Sequence, residues 1–168
     1  MHKIGDYVVY GGNGVMSIVD IREECFGNCP RCYYILRDVN SNSASLTYVP
    51  VDNEALVAQM RSLLTKDEIF SVIRSVKDLG DCEWAKDSRS RAEIFKKITE
   101  SGDRGSIIAM IRTIYNAGLV RESEGKKNFI SDENAMIKAK KLLVSEFSLV
   151  LEITEEETLE FLKKEFAK

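Results

Sequence analysis

From Ile4 to Val51 the chain carries short apolar runs broken by turn residues, whereas after Asp52 apolar positions recur every three or four residues. The first pattern predicts strands and the second predicts helices. Tyr7-Val8-Val9-Tyr10 is β-branched and aromatic, and Gly11-Gly12-Asn13-Gly14 supplies a turn that tolerates positive φ. Val15-Met16-Ser17-Ile18-Val19-Asp20-Ile21 is the next strand, followed by a Cys/Gly/Asn/Pro loop and Tyr33-Tyr34-Ile35-Leu36. Asn40-Ser41-Asn42-Ser43 turns the chain into Ser45-Leu46-Thr47-Tyr48-Val49, which Pro50 ends because it lacks an N–H. Such short, closely spaced strands predict a small SH3-like or Tudor-like β-barrel, whose open edges can take a partner's strand.

The helical half begins with a capping box, Thr65-Lys66-Asp67-Glu68, ahead of the stripe Ile69, Phe70, Val72, Ile73 and Val76. Gly80 is expected to close that helix. A second starts near Ser88, carries Ile94, Phe95 and Ile98, and stops at Ser101-Gly102-Asp103; a third holds Ile107, Ile108, Ile111, Ile114 and Tyr115 as far as Gly118. A charged loop over 120–131, a fourth helix from Asp132 to Leu151 and a short acidic helix after Thr154-Glu155-Glu156-Glu157 complete an all-α bundle. The expected class is therefore α+β, with a barrel over 1–52, a linker or first helix over 53–65 and a helical domain over 66–168.

Composition narrows the function. Hydrophobic residues make up 44% and charged residues 30% of the 168, which fits a water-soluble fold. No apolar run reaches the ~20 residues a membrane helix needs. The start, Met-His-Lys-Ile-Gly-Asp, lacks a secretory core, so a cytoplasmic protein with reduced thiols is expected. The net charge of -3 is unevenly spread: residues 84–141 hold thirteen basic against eight acidic side chains. An anionic partner should meet that middle region, but the bias is too mild for tight DNA binding by this chain alone.

Enzyme chemistry finds little support. Gly11-Gly12-Asn13-Gly14 lacks the Lys-Ser/Thr of a phosphate loop, and the only histidine, His2, lies near the terminus, away from any credible triad. Acidic residues alternate with lysines as on solvated helix faces. Cys25, Cys29 and Cys32 are spaced C-x3-C-x2-C; with Cys82 or His2 they offer zinc ligands, but a structural site usually pairs two knuckles. Free thiols without metal or other cofactor are the expectation.

The lone tryptophan stands apart. Trp84 lies in Glu83-Trp84-Ala85-Lys86-Asp87-Ser88-Arg89-Ser90-Arg91, with no hydrophobic run around it. It is either a wedge or stacking plate for nucleic acid, or a cap on a helical core. Lys86, Arg89 and Arg91 crowd a helix start, where the dipole disfavours cations and a bound phosphate would offset them. Lys126, Lys127 and Lys140 extend this patch if the bundle gathers them, whereas Lys138 and Lys141 read as solvated.

In joint order these features resemble the CarD family of bacterial transcription regulators. The matching residues are Gly5-Asp6-Tyr7-Val8-Val9-Tyr10, Asn13-Gly14-Val15, Tyr33-Tyr34-Ile35-Leu36 and Val49-Pro50-Val51-Asp52-Asn53. In the helical half they are Trp84 with its arginines, Ser101-Gly102-Asp103, and Ala139-Lys140-Lys141-Leu142-Leu143-Val144-Ser145-Glu146. The resemblance implies a barrel that docks on the RNA polymerase β subunit, as does the related domain of the transcription-repair coupling helicase. It also implies a helical domain that meets promoter DNA at the upstream edge of the melted region, with Trp84 as minor-groove wedge and Arg89 and Arg91 beside it. On the barrel, Arg22, Glu24, Leu46 and Tyr48 are the expected polymerase contacts. The chain departs from the family at Gly11 and Asn13, in the three-cysteine loop, in its acidic last helix, and at Asp132-Glu133-Asn134, where a basic segment usually opens the fourth helix. A monomeric, non-enzymatic transcription factor that stabilises the open complex is expected. The rival expectation is an interaction scaffold, zinc-bearing or metal-free, that makes no direct DNA contact.

Overall fold

A computed structural model describes residues 2–27, 29–40, 44–76 and 78–166, excepting the side chains of Glu165 and Phe166. The turn expected at Ser41, Asn42 and Ser43, and Asn28 of the cysteine loop, lie outside the described residues. The chain divides into two compact units, Met1–Leu63 and Leu64–Lys168.

In the first unit β1 (Tyr7–Tyr10), β2 (Val15–Glu24), β3 (Arg31–Asp38), β4 (Leu46–Pro50) and β5 (Met60–Ser62) form one antiparallel sheet in the order β4-β3-β2-β1-β5. A 3-10 turn over Gly11–Asn13 joins β1 to β2, and Gly11 and Gly14 take φ values of 49° and 92°. Those values cost a residue with a Cβ but not glycine. Ladder partners point to the same side of a sheet, so pairing of Tyr34 with Val49, Ile18 with Leu36 and Tyr10 with Met60 gathers one buried core on one face. A bulge between Ile18 and Asp20 resets the alternation; Ile21 then returns to the core side opposite Tyr34, and Arg22 falls opposite Tyr33 on the other side.

Residues 53–65, expected as a linker or first helix, hold α1 (Glu54–Val57), capped by Asn53, and also β5, which pairs with β1 as the second edge of the sheet. A three-residue strand with one buried residue, Met60, is too short to show alternation in the sequence. Polar Arg22-Glu23-Glu24 and Arg31-Cys32 also lengthen β2 and β3 beyond their apolar runs, because one ladder face is open to solvent.

The second unit packs α2 (Lys66–Ser75), α3 (Ser88–Ser101), α4 (Arg104–Ser123), α5 (Ile130–Leu151) and α6 (Glu155–Phe166) around Ile69, Phe95, Ile107, Met110, Leu143 and Phe147. The capping box forms as the sequence implies: Thr65 Oγ1 accepts the Glu68 N–H at 3.3 Å, and Glu68 Oε2 accepts the Thr65 N–H at 2.7 Å. These Thr65 donors hold the Glu68 carboxyl below its usual range. A buried carboxylate then ties the unit together. Glu146 Oε1 accepts the Leu64 N–H at 2.9 Å, and Arg104 Nε donates to Glu146 Oε2 at 2.8 Å. α4 does not stop at Gly118 as expected. It continues to Ser123, and the Asn128 amide lies where a Cβ on Gly118 would meet it at 3.2 Å. Among the described residues no helix is long and apolar enough to cross a membrane.

Candidate functional site

Between α2 and α3 the described residues form no helix or strand, so their backbone groups need side-chain partners. Helix α4 supplies two of them. Arg112 donates through Nη1 to the Val76 carbonyl at 2.9 Å and through Nη2 to the Leu79 carbonyl at 2.5 Å. Buried Thr113 accepts the Cys82 N–H at 2.9 Å while donating its own hydroxyl to the Ala109 carbonyl at 2.8 Å. Helix α3 supplies the third: Arg91 Nη1 donates to the Ala85 and Lys86 carbonyls, both at 3.0 Å. Trp84 therefore sits between two anchored peptides. Its ring leans on Phe95, with centroids 6.2 Å apart and a 51° tilt, and the Arg91 guanidinium carbon lies 4.7 Å from its centroid. Even so the residue is 37% exposed, a shelf at the surface with its inner side supported.

Arg91 has to be corrected. Expected beside Trp84 as a phosphate contact, it is only 1% exposed, its guanidinium enclosed by the fold. Its Nε bonds to Asp132 Oδ2 at 3.1 Å; Nη2 lies 3.0 Å from the same oxygen, close enough for ion pairing but out of hydrogen-bond alignment. Asp132 is itself buried and also accepts from the Ser131 hydroxyl at 3.2 Å, which lies 2.9 Å from that of Ser88. The acidic start of the fourth helix, read in sequence as a missing cation, is the counter-ion of Arg91. The supposed vacancy for an anion at the α3 start is likewise filled from within. Asp87 caps the helix by accepting the Ser90 N–H at 2.8 Å, and that bond lowers its carboxyl pKa.

Of the remaining cations, Lys86 and Lys127 are exposed, and Arg89 is almost free, its side chain 93% exposed and 3.9 Å from Glu93. Lys126 pairs with Glu124 at 2.7 Å, which lowers the Glu124 carboxyl pKa. Lys140 joins Trp84 at an open groove of about 300 Å³ between α4 and α5, along with Tyr115, Leu119, Phe129 and Met136. The structure thus brings Lys140 to Trp84 and turns Arg91 inward. Phe129 and Arg121 escaped the sequence reading, and Asp132 was not read there as the partner of Arg91. Phe129 carried the same signal as Trp84, a lone aromatic within a charged stretch.

On the first unit, Arg22, Glu24, Leu46 and Tyr48 share one face of the sheet. Arg22 is opposite Tyr33, Glu24 opposite Arg31, Tyr48 opposite Ile35 and Leu46 opposite Arg37, all on the side away from the Tyr34–Val49 core pair. Arg22 is held in its row by Asp20 at 3.0 Å and Glu24 at 2.7 Å. Phe26, which the sequence did not single out, stands 63% exposed with its ring 4.9 Å from Tyr48 and 5.4 Å from Tyr33. These rings adjoin β4, an edge strand of the sheet. Cys25 and Cys29 are exposed between β2 and β3, and Cys32 is exposed on β3; among the described residues no three His, Cys, Asp or Glu side chains are grouped to hold a metal ion. Cys82 is half-buried, and burial pushes its thiol pKa up.

An edged antiparallel sheet with a ring-rich outer face has the form of an interaction domain. Residues 2–63 match the family model described as the CarD-like/TRCF RID domain. That family is a transcription-related RNA polymerase interaction domain, and the match ends where the first unit ends. A comparison with curated proteins finds no match.

Proposed function

We propose that the protein is a transcription regulator that docks on the RNA polymerase β subunit through the outer face of its sheet and contacts promoter DNA at the upstream edge of the melted region through the Trp84 shelf. The match over residues 2–63 carries this reading. Arg22, Glu24, Leu46 and Tyr48 form the polymerase contact, with charged groups steering and the Phe26 and Tyr48 rings burying apolar area. In the helical unit Trp84 is the wedge; Lys86, Arg89, Lys127 and Lys140 attract the backbone, and Lys126 contributes less because Glu124 holds it. Unstacking a base step costs a few kcal/mol. The wedge therefore acts where polymerase has already opened the duplex, and stabilises that state. Tethering raises the local concentration of a weak DNA site, which suits a surface of so few free cations.

The test has two arms. Tyr48→Ala combined with Arg22→Glu should abolish co-purification with RNA polymerase β while leaving the fold intact; retained binding refutes the docking face. Trp84→Ala should leave polymerase binding unchanged and shorten the open-complex lifetime. A second reading, a metal-free scaffold that touches only proteins, is favoured by the inward turn of Arg91 and the apolar groove beside Trp84. An unchanged lifetime in Trp84→Ala would select it.

A further inference from the structure

Four side chains at the Trp84 site form an alternating series of rings and guanidinium groups. The Arg91 guanidinium carbon lies 4.7 Å from the Trp84 centroid and 4.7 Å from the Phe129 centroid, and the Arg121 guanidinium carbon lies 3.9 Å from Phe129. We infer that Phe129 and Arg121 are positioning residues for the Trp84 indole, acting on it through Arg91. For its consequence at a promoter the inference rests on the wedge reading; for the orientation of the ring it does not.

The reasoning starts from what each group lacks. Arg91 is buried; its Nε and Nη1 are occupied in the plane by Asp132 and by the Ala85 and Lys86 carbonyls, and Nη2 is ion-paired with Asp132 without a hydrogen bond. The faces of a guanidinium make no hydrogen bonds, so what remains for them is a ring, and Trp84 and Phe129 are the rings at that distance. Phe129 in turn lies at the surface. It is 39% exposed, at the start of a helix with no side-chain cap. Arg121 holds it: Nε and Nη2 both donate to the Lys127 carbonyl, at 2.9 and 2.8 Å, which clamps the loop two residues ahead of the ring while the guanidinium covers it. Arg121 thus fixes Phe129, Phe129 backs Arg91, and Arg91 backs the indole. A ring held in one orientation before binding loses less freedom when it inserts between bases, so it grips better than a loose one.

Trp84 is the only tryptophan of the chain, so fluorescence reports this ring alone. The variants are Phe129→Leu, which keeps apolar bulk without a π face; Phe129→Tyr, which keeps the ring; and Arg121→Gln, which removes the clamp. With helix content unchanged by circular dichroism, Phe129→Leu and Arg121→Gln should raise the iodide quenching constant about twofold or more and lower the anisotropy, since an unstacked ring regains rotamer freedom. Phe129→Tyr should keep wild-type values. Equal quenching in all four proteins overturns the inference, and Arg121→Gln decides it if Phe129→Leu fails to fold. At a promoter Phe129→Leu should shorten the open-complex lifetime about fivefold, equivalent to roughly 1 kcal/mol. If Trp84→Ala itself leaves that lifetime unchanged, the wedge reading falls, while the quenching comparison still decides the positioning role.

Discussion

Replacing Arg91 by methionine should destabilise the helical unit severely, although the residue looks in sequence like one of several surface cations. Methionine fills comparable apolar volume but leaves the Asp132 carboxylate buried without its partner and removes the donor to the Ala85 and Lys86 carbonyls. Breaking a buried pair from one side typically costs 3–5 kcal/mol, so about 4 kcal/mol is expected. With an m-value near 2 kcal/mol/M, the urea midpoint should fall by about 2 M. Trp84 emission follows the helical unit alone, so the transition can be read separately from that of the sheet. Asp132→Asn leaves the guanidinium stranded instead and should also be costly. In the double variant Arg91→Met/Asp132→Asn neither position leaves an unpaired buried charge, and stability should exceed the additive sum by roughly 2–3 kcal/mol. Loss of less than about 1 kcal/mol in Arg91→Met, well short of what breaking a buried pair costs, would refute this account and restore Arg91 as a surface group.

Arg89→Glu, two residues earlier, should shift stability by less than about 0.5 kcal/mol, because the side chain is solvated; it should instead weaken the salt-dependent part of promoter-complex binding, measured by titration across ionic strength. Asp87→Ala should lower the thermal midpoint at neutral pH by removing the α3 cap. Because the folded-state pKa of Asp87 is depressed, its contribution is present above the unfolded value of about 3.9 and is lost as pH falls below it. The midpoints of wild type and variant should therefore converge in acid, and a constant gap down to the most acid pH counts against the cap. With a chromogenic disulfide at pH 8, Cys25, Cys29 and Cys32 should react quickly and Cys82 slowly, since burial raises its pKa; four equal rates would contradict the placement of Cys82.

How much of the site could be read from the chain turns on helix phase. Arg91 and Arg89 look alike as cations after Trp84, yet Arg91 stands four residues before Phe95 and eight before Thr99, on the buried face of α3, while Arg89 points to solvent. That spacing was legible. Its counter-ion was not, because Asp132 lies forty-one positions away and nothing local marks a carboxylate as buried. The strands of the sheet were visible where apolar residues alternate, and invisible where they are short, as in β5, or polar, as in the ends of β2 and β3. Phe26 was hidden for the opposite reason: an exposed aromatic in a loop has no period to betray it.

The same pairing limits how strongly the helical unit can hold DNA. Each phosphate neutralised contributes about 0.9 to the slope of log affinity against log salt. The sequence offers seven candidates with Trp84, six of them cations, but Arg91 is committed to Asp132 and Lys126 to Glu124. Arg89 faces Glu93, and among the described residues Lys86, Lys127 and Lys140 make no ion pair. Three or four phosphate contacts are therefore the most this surface supports, a slope near -3. The buried arginine lends its charge to hold the indole and not to attract the backbone. On the proposed reading such a surface has to be carried to DNA by something else, and residues 2–63, matched to a polymerase interaction domain, are the part of the chain suited to do so. A slope near -5 for the isolated protein would mean that the Arg91–Asp132 and Lys126–Glu124 pairs open on DNA, and the division of labour between the two units would no longer follow.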